Sequence, residues 1–208
     1  MRYHLSWLTD RFESGKSLNY IFFWGHANKH ERVTGEFMLS QWYPSPFYVH
    51  EILYKTAAHW MVARKAVLFG DRVAFTKIIN ADRPDEVRAL SRSITGFDEG
   101  LWREWKYEIV KEGNFHKFNQ NKRLKAYLLS TTDHILVETN PLDRIWGIGL
   151  SSDFKHVQNP YTWKGLNLLG FALMEIRDYL NHISEFNFRH DNNEIASHNA
   201  APAAKIIV

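Results

Sequence analysis

The stretch Tyr54–Phe69, Y-K-T-A-A-H-W-M-V-A-R-K-A-V-L-F, fixes one helix and places an awkward residue on it. Thr56 can accept a hydrogen bond from the first turn, and Ala57, Ala58, Ala63 and Ala66 favour helix strongly. At 3.6 residues per turn, Ala58, Met61, Val62, Lys65 and Phe69 share one face. A lysine on an apolar face must snorkel to water, pair with an acid or meet a ligand. Two turns before Lys65, where an acid could pair with it across a ligand, the chain has Ala58. A lysine desolvated beside Met61, Val62 and Phe69 would lose affinity for its proton and become a better nucleophile towards a carbonyl.

The remaining pattern is that of one domain. The 208 residues suffice for a single core, and 45% hydrophobic with 24% charged residues is ordinary for a globular chain. No apolar run is long enough to cross a membrane. Arg2, Asp10 and Arg11 leave no room for a secretory apolar segment, so a cytoplasmic or nuclear location is expected. The chain has no cysteine, which excludes disulfides and cysteine-bound zinc. A net charge of +3 tolerates a polyanionic partner without requiring one.

Residues 20–24 and 134–138 read as strands. Pro44 and Pro46 force an extended loop. Helices are expected over 56–69, 71–80, from Pro84 onward, over 101–111 with a break at Gly113-Asn114, over 115–130, and over 164–183. The composition after Glu185 turns to Asn, His, Ala and Pro and predicts a weakly ordered tail beyond a domain covering 1–184. Neither a repeat nor a second domain is visible.

Several motifs invite a chemical reading. His26, His30 and His59 lack the H-E-x-x-H spacing, so no metal site is expected. There is no G-x-S-x-G and no Walker A sequence. The run I-W-G-I-G at 145–149 lacks the third glycine of a dinucleotide fingerprint, and a tightly packed turn explains it equally well. Asp143 beside Trp146 suits a sugar hydroxyl next to a ring. Aromatic residues make up 15% of the chain, including eight tryptophans. That leaves room for several to line a pocket. The run K-F-N-Q-N-K-R-L-K at 117–125 suits a nucleic acid strand, or is simply a solvated helix face.

Taken together, F-F-W-G-H (22–26), S-Q-W-Y-P-S-P-F (40–47), H-W-M-V-A-R-K-A (59–66), K-F-N-Q-N (117–121), L-V-E-x-x-P-x-D-x-I-W-G-I-G (136–149) and W-K-G-L-N-L-L-G-x-A-L-M (163–174) resemble the NADAR, or YbiA-like, family. The resemblance implies an α+β fold: a single compact, mainly helical domain with a small sheet. It implies an N-glycosidase without a cofactor. One family activity is removal of ADP-ribose from guanine in nucleic acid, in some cases as antitoxin to a DarT-type toxin. Another is hydrolysis of riboflavin-pathway ribosylaminopyrimidine phosphates. The partner implied is ADP-ribose or an ADP-ribosylated guanosine or nucleic acid.

The family pattern Y-x-T-x-E-H-[YW] is met by Tyr54, Thr56, His59 and Trp60, but its glutamate falls on Ala58. This reads as a deliberate Glu→Ala change that stops turnover while holding a ligand. A natural non-catalytic ADP-ribose-binding module is one alternative, and an offset that lets Glu51 supply the acid is another. The implied catalytic positions are 58, Lys65 and Asp143. The carboxylate would open the ribose or move a proton, Lys65 would attack the aldehyde carbon, and Asp143 would orient hydroxyls; direct attack by water is the rival route. Trp24, Trp42, Trp60, Trp102 and Trp146 would form the base and sugar walls, with Trp105 and Trp163 in the core. Gly25, Gly147 and Gly149 would meet phosphate oxygens, and His26, Ser40, Gln41 and Asn121 would complete the substrate contacts.

Overall fold

The computed structural model describes residues 1–25 and 35–199, of which 185–199 by their backbone alone. Two strands, β1 (Tyr20–Phe23) and β4 (Ile135–Glu138), pair in parallel, with Tyr20 opposite Ile135 and Phe23 opposite Glu138. Between them in sequence lie a hairpin, β2 (Phe47–Val49) with β3 (Ile52–Tyr54), and five helices: α2 (Ala57–Leu68), α3 (Arg72–Asn80), α4 (Pro84–Arg92), α5 (Glu99–Gln120) and α6 (Lys122–Ser130). Helix α1 (Leu5–Glu13) precedes this set and α7 (Leu168–Asn199) follows it. The result is an α+β domain dominated by helices, as expected.

Local chemistry accounts for most boundaries. Thr56 caps α2 by accepting from His59 N–H, and Asp71 and Asp98 cap α3 and α5 in the same way. Pro84 opens α4 with Asp85 and Glu86 in its first turn. The hairpin turns at His50 and Glu51, both with positive φ, which is the twist a two-residue hairpin needs. Lacking an Asn-Gly or Asp-Gly pair, the turn gave no sequence signal, and only an extended loop was expected there.

Two cores share the domain. The larger packs the parallel pair against α5, α6 and α7 through Leu136, Val137, Phe118, Leu128, Leu169 and Phe171. The smaller packs α2, α3 and α4 against the hairpin through Phe47, Tyr54, Trp60, Val62 and Ile78. Helix α5 serves both, since Val110 lies in the first and Ile109 in the second.

Three expected boundaries shift. Helix α5 runs unbroken through Gly113, because a Cβ there would come 2.2 Å from the Trp60 ring. Glycine at this point admits a neighbouring helix rather than ending its own. The break falls instead at Asn121, whose Nδ2 donates to Lys117 O and Pro46 O. Helix α7 starts at Leu168 rather than 164, because residues 164–167 are hydrogen-bonded to the 144–148 segment. Its backbone continues to Asn199, past the expected start of the tail at 185. Residues after 199 lie outside the described ones. Helix α1 was not anticipated.

Candidate active site

The parallel pair ends at one place, and the chain leaves both strands there as Trp24-Gly25 and Thr139-Asn140. Open α/β arrangements expose ligand sites at such carboxyl ends. Here a cleft of about 360 Å³ opens, lined on the sheet side by Trp24, Gly25, Glu138, Asn140, Asp143 and Trp146. The opposite wall carries Ser40, Gln41, Trp42, Ala58, Met61 and Arg88.

Each wall is pinned from behind. Asp143 Oδ1 accepts from the N–H groups of Ile145 and Trp146 at 2.8 Å, which turns the chain and sets the Trp146 ring in the wall. The segment folds back so closely that Ile148 N–H reaches Glu138 O, and a Cβ on Gly147 would sit 2.8 Å from that same oxygen. Buried Asn167 locks the other side of β4: its Nδ2 donates to Leu136 O and its Oδ1 accepts from Glu138 N–H. Across the cleft, Gln41 O accepts from Ala58 N–H, tying the loop to the first turn of α2. Lys117, fully buried, donates from Nζ to Ser40 O at 2.7 Å. Burial pulls its ammonium down to about 7.

The electrostatics are uneven. Among the described residues, Arg88 is the one cation in the lining, stacked 4.5 Å over the Trp42 ring. Glu138 and Asp143 face it from the sheet side. Burial, reinforced by the neighbouring Asp143 carboxylate, pushes Glu138 up to about 8. Among the described residues, Glu138 Oε2 and Gln41 Oε1 are shielded acceptors with no hydrogen-bond partner. Unpartnered polar atoms in a cleft wall are what a ligand would satisfy.

The structure brings together Trp24, Gly25, Ser40, Gln41, Trp42, position 58, Asp143 and Trp146. It sets others elsewhere. Lys65, one turn past Met61, points away: its Nζ donates to Ser91 O and lies over the Phe97 and Trp102 rings. Burial there pulls its pKa below the ordinary lysine value, with Glu99 opposing. The continuous face drawn from Ala58 to Lys65 therefore splits, its first turn to the cleft and its next to a separate aromatic corner. Trp102 belongs to that corner. Trp60 is buried in the smaller core and donates to Ile109 O. Asn121 fastens the end of α5, and Gly147 and Gly149 lie behind the wall, the latter tight against Arg144 and Lys164. Trp105, expected in the core, is 46% exposed, whereas Trp163 is buried as expected. Glu51 sits in the hairpin turn, outside the residues that line the cleft. His26 and His30 lie outside the described residues. His59 has Thr56 Oγ1 and Ala81 O against its two ring nitrogens.

Sequence reasoning missed Glu138, Arg88 and Asn167. Glu138 carried a signal: it is the one acid closing an otherwise apolar strand, I-L-V-E, immediately before a turn. Arg88 carried none, lying on the polar face of α4.

The fold and the cleft together define a small α+β domain with an acid-and-aromatic site at the ends of a parallel pair. The family model for the NADAR domain matches residues 22–181, and the chain belongs to that family. It is 41% identical over 167 residues to an N-glycosidase of Acanthamoeba polyphaga mimivirus, covering 76% of this chain and 95% of the relative. It is 34% identical over 109 residues to the chloroplastic riboflavin biosynthesis protein PYRR of Arabidopsis thaliana, covering half of this chain and 16% of that longer protein. The NMR structure of Escherichia coli YbiA superposes with a TM-score of 0.64 at 25% identity, over 80% of this chain and 87% of that one.

Proposed function

We propose that this chain has the architecture of an N-glycosidase and acts on a phosphorylated ribosyl group joined through nitrogen to a heterocycle. The observation that carries this is the cleft itself. Two carboxyl groups, Glu138 and Asp143, face tryptophan walls and one arginine. Breaking a glycosidic bond calls for acids beside the anomeric carbon, a flat wall for the base and a cation for phosphate. The mimivirus relative's name as an N-glycosidase supports the same bond type.

The substrate we favour is an ADP-ribosyl adduct on guanine in nucleic acid. Trp24, in the cleft lining, is half-exposed, an open edge that suits a substrate larger than the cleft. The similarity to a riboflavin biosynthesis protein favours a second reading, a ribosylaminopyrimidine phosphate. Ala58 lines the cleft where the family pattern carries glutamate, so the present chain binds better than it turns over.

The test is product release by chromatography from both substrates, with the parent chain and Ala58→Glu. A clear gain in rate with Ala58→Glu on the guanine adduct supports the proposal. A gain on the pyrimidine alone moves the substrate to the second reading, and no gain on either overturns the proposal. Tight binding of free ADP-ribose with no cleavage by Ala58→Glu would make the chain a binding module.

A further inference from the structure

We propose that Glu138 is the acid that hands a proton to the departing nitrogen when an N-ribosyl amine is cleaved in this cleft. The inference rests on the N-glycosidase reading and assigns a role within it.

Glu138 is the last residue of β4 and is held at both backbone groups, N–H by Asn167 and C=O by Ile148. Its side chain lines the cleft, yet Oε2 is shielded from solvent and, among the described residues, has no partner. Were the group ionised, Oε2 would lack both a hydrogen-bond partner and a counter-charge there. The surroundings supply none. Its register partner on β1 is Phe23, and the Asn167 amide, just before α7, accepts its backbone N–H. Asp143 on the following turn adds negative charge. Arg88 on the far wall is engaged with Trp42, while Lys65 and Lys117 donate to Ser91 O and Ser40 O. Burial and Asp143 accordingly keep the carboxyl protonated up to about pH 8.

Asp143 differs in the way a second role requires. Its Oδ1 accepts two backbone N–H groups, so one oxygen is committed as an acceptor while Oδ2 is left for the cleft. Two carboxyl groups in one cleft with environments that separate them divide the work of acid and base. In the step assigned here, the C1′–N bond breaks and its electron pair stays on nitrogen. The Glu138 proton moves to that nitrogen, and the amine leaves neutral. Water adds to C1′ and yields a proton to Asp143, from which solvent returns one to Glu138. The assignment also explains why position 58 need not supply every proton: Glu138 remains in this chain.

The test compares Glu138→Gln with its parent, in the native and Ala58→Glu backgrounds, on two substrates. One is an N-ribosyl amine phosphate. The other is 4-nitrophenyl riboside 5-phosphate, whose phenolate leaves without a proton. Glu138→Gln is expected to slow the amine substrate by roughly 10²–10⁴-fold and to leave the nitrophenyl substrate within about threefold. The fall in rate above about pH 8 on the amine substrate should disappear with it. Equal losses on both substrates, or none on either, overturn the role of Glu138 and leave the N-glycosidase reading standing. Cleavage of neither substrate by any Ala58→Glu protein overturns that reading, and the donor role with it. A neutral-carboxyl infrared band at pH 6.5, present in the parent and absent in Glu138→Gln, is expected independently of turnover; its absence from the parent overturns the assignment.

Discussion

The two walls of the cleft are built on different principles. The sheet wall is rigid and acidic: Glu138 and Asp143 sit on a strand end and a tight turn, each braced by backbone hydrogen bonds. The helix wall is aromatic and cationic: Trp42, Met61 and Arg88 are presented by a loop and two helices, and its one expected acid is Ala58. Chemistry is thus concentrated on the wall braced by backbone hydrogen bonds, and recognition on the wall assembled from more parts. A change of residue at position 58 removes a side chain from the second wall without disturbing the first.

The largest test of this division is Asp143→Asn in the Ala58→Glu background. An amide oxygen can still accept from Ile145 and Trp146, so the turn and the melting temperature should hold. The rate should fall by roughly 10²–10⁴-fold. Removing the negative charge should also lower the pKa of Glu138 and shift the alkaline limb of the rate profile towards lower pH. An unchanged limb would uncouple the two acids.

Next in size is a contrast between the buried groups behind each wall. Lys117 releases its proton near 7 in the native state but near 10.5 when unfolded, so the unfolded chain holds more protons between those values. Stability should therefore rise with pH across that window, by about 5 kcal/mol in full. Glu138 holds its proton to about 8 when native but only to 4.5 when unfolded, so its contribution to stability is lost as pH rises through 8. The two oppose each other near neutrality, and above 8 the lysine acts alone. Urea unfolding from pH 6 to 10 should show the rise flattened by Lys117→Met and the early fall removed by Glu138→Gln. A profile identical in all three proteins would sink both assignments.

Smaller effects separate the cores. Gly113→Ala presses a methyl into the Trp60 ring and should cost about 1–3 kcal/mol, read as a lower urea midpoint. A neutral result would mean that α2 and α5 are free to slide apart. Lys65→Met should cost about 1–2 kcal/mol, the worth of a part-buried cation–π contact, and leave the rate within about threefold. Borohydride should trap no adduct on Lys65, whose Nζ is turned to Ser91. A trapped adduct would return Lys65 to the cleft and the imine route with it.

What could be read in the sequence was whatever local physics controls. Thr56, Pro84 and the alternation of helical faces placed the helices that line or support the cleft. The strand I-L-V-E was legible from its apolar run. Trp42, Asp143 and Trp146 were found because motif and residue type coincide, and position 58 because the flanking motif marks it although the residue departs from the pattern. What failed depended on contacts distant in sequence. Gly113 looks like a breaker until Trp60 is seen against it. Lys65 looks like a partner of position 58 until Ser91 and Phe97 are seen to hold it. Lys117 reads as a surface charge within a basic run and is instead fully buried beneath Ser40. Glu138 was passed over because an acid ending a strand is ordinary until the turn after it folds back and leaves its Oε2 shielded and without a partner among the described residues.

The parallel pairing of β1 and β4 has a consequence for how the protein is made. Thr139 N–H reaches Phe23 O across 116 residues, with five helices and a hairpin in between. Closing so long a loop carries its entropic cost before any pairing energy is returned, which makes this contact a late one in folding. The helices between can pack on contacts nearer in sequence before it, yet Trp24, Glu138 and Asp143 converge only when that last contact closes. During synthesis the cleft stays unassembled until β4 has left the ribosome. A nascent or truncated chain can be rich in helix, and even hold its smaller core, without having the site at all.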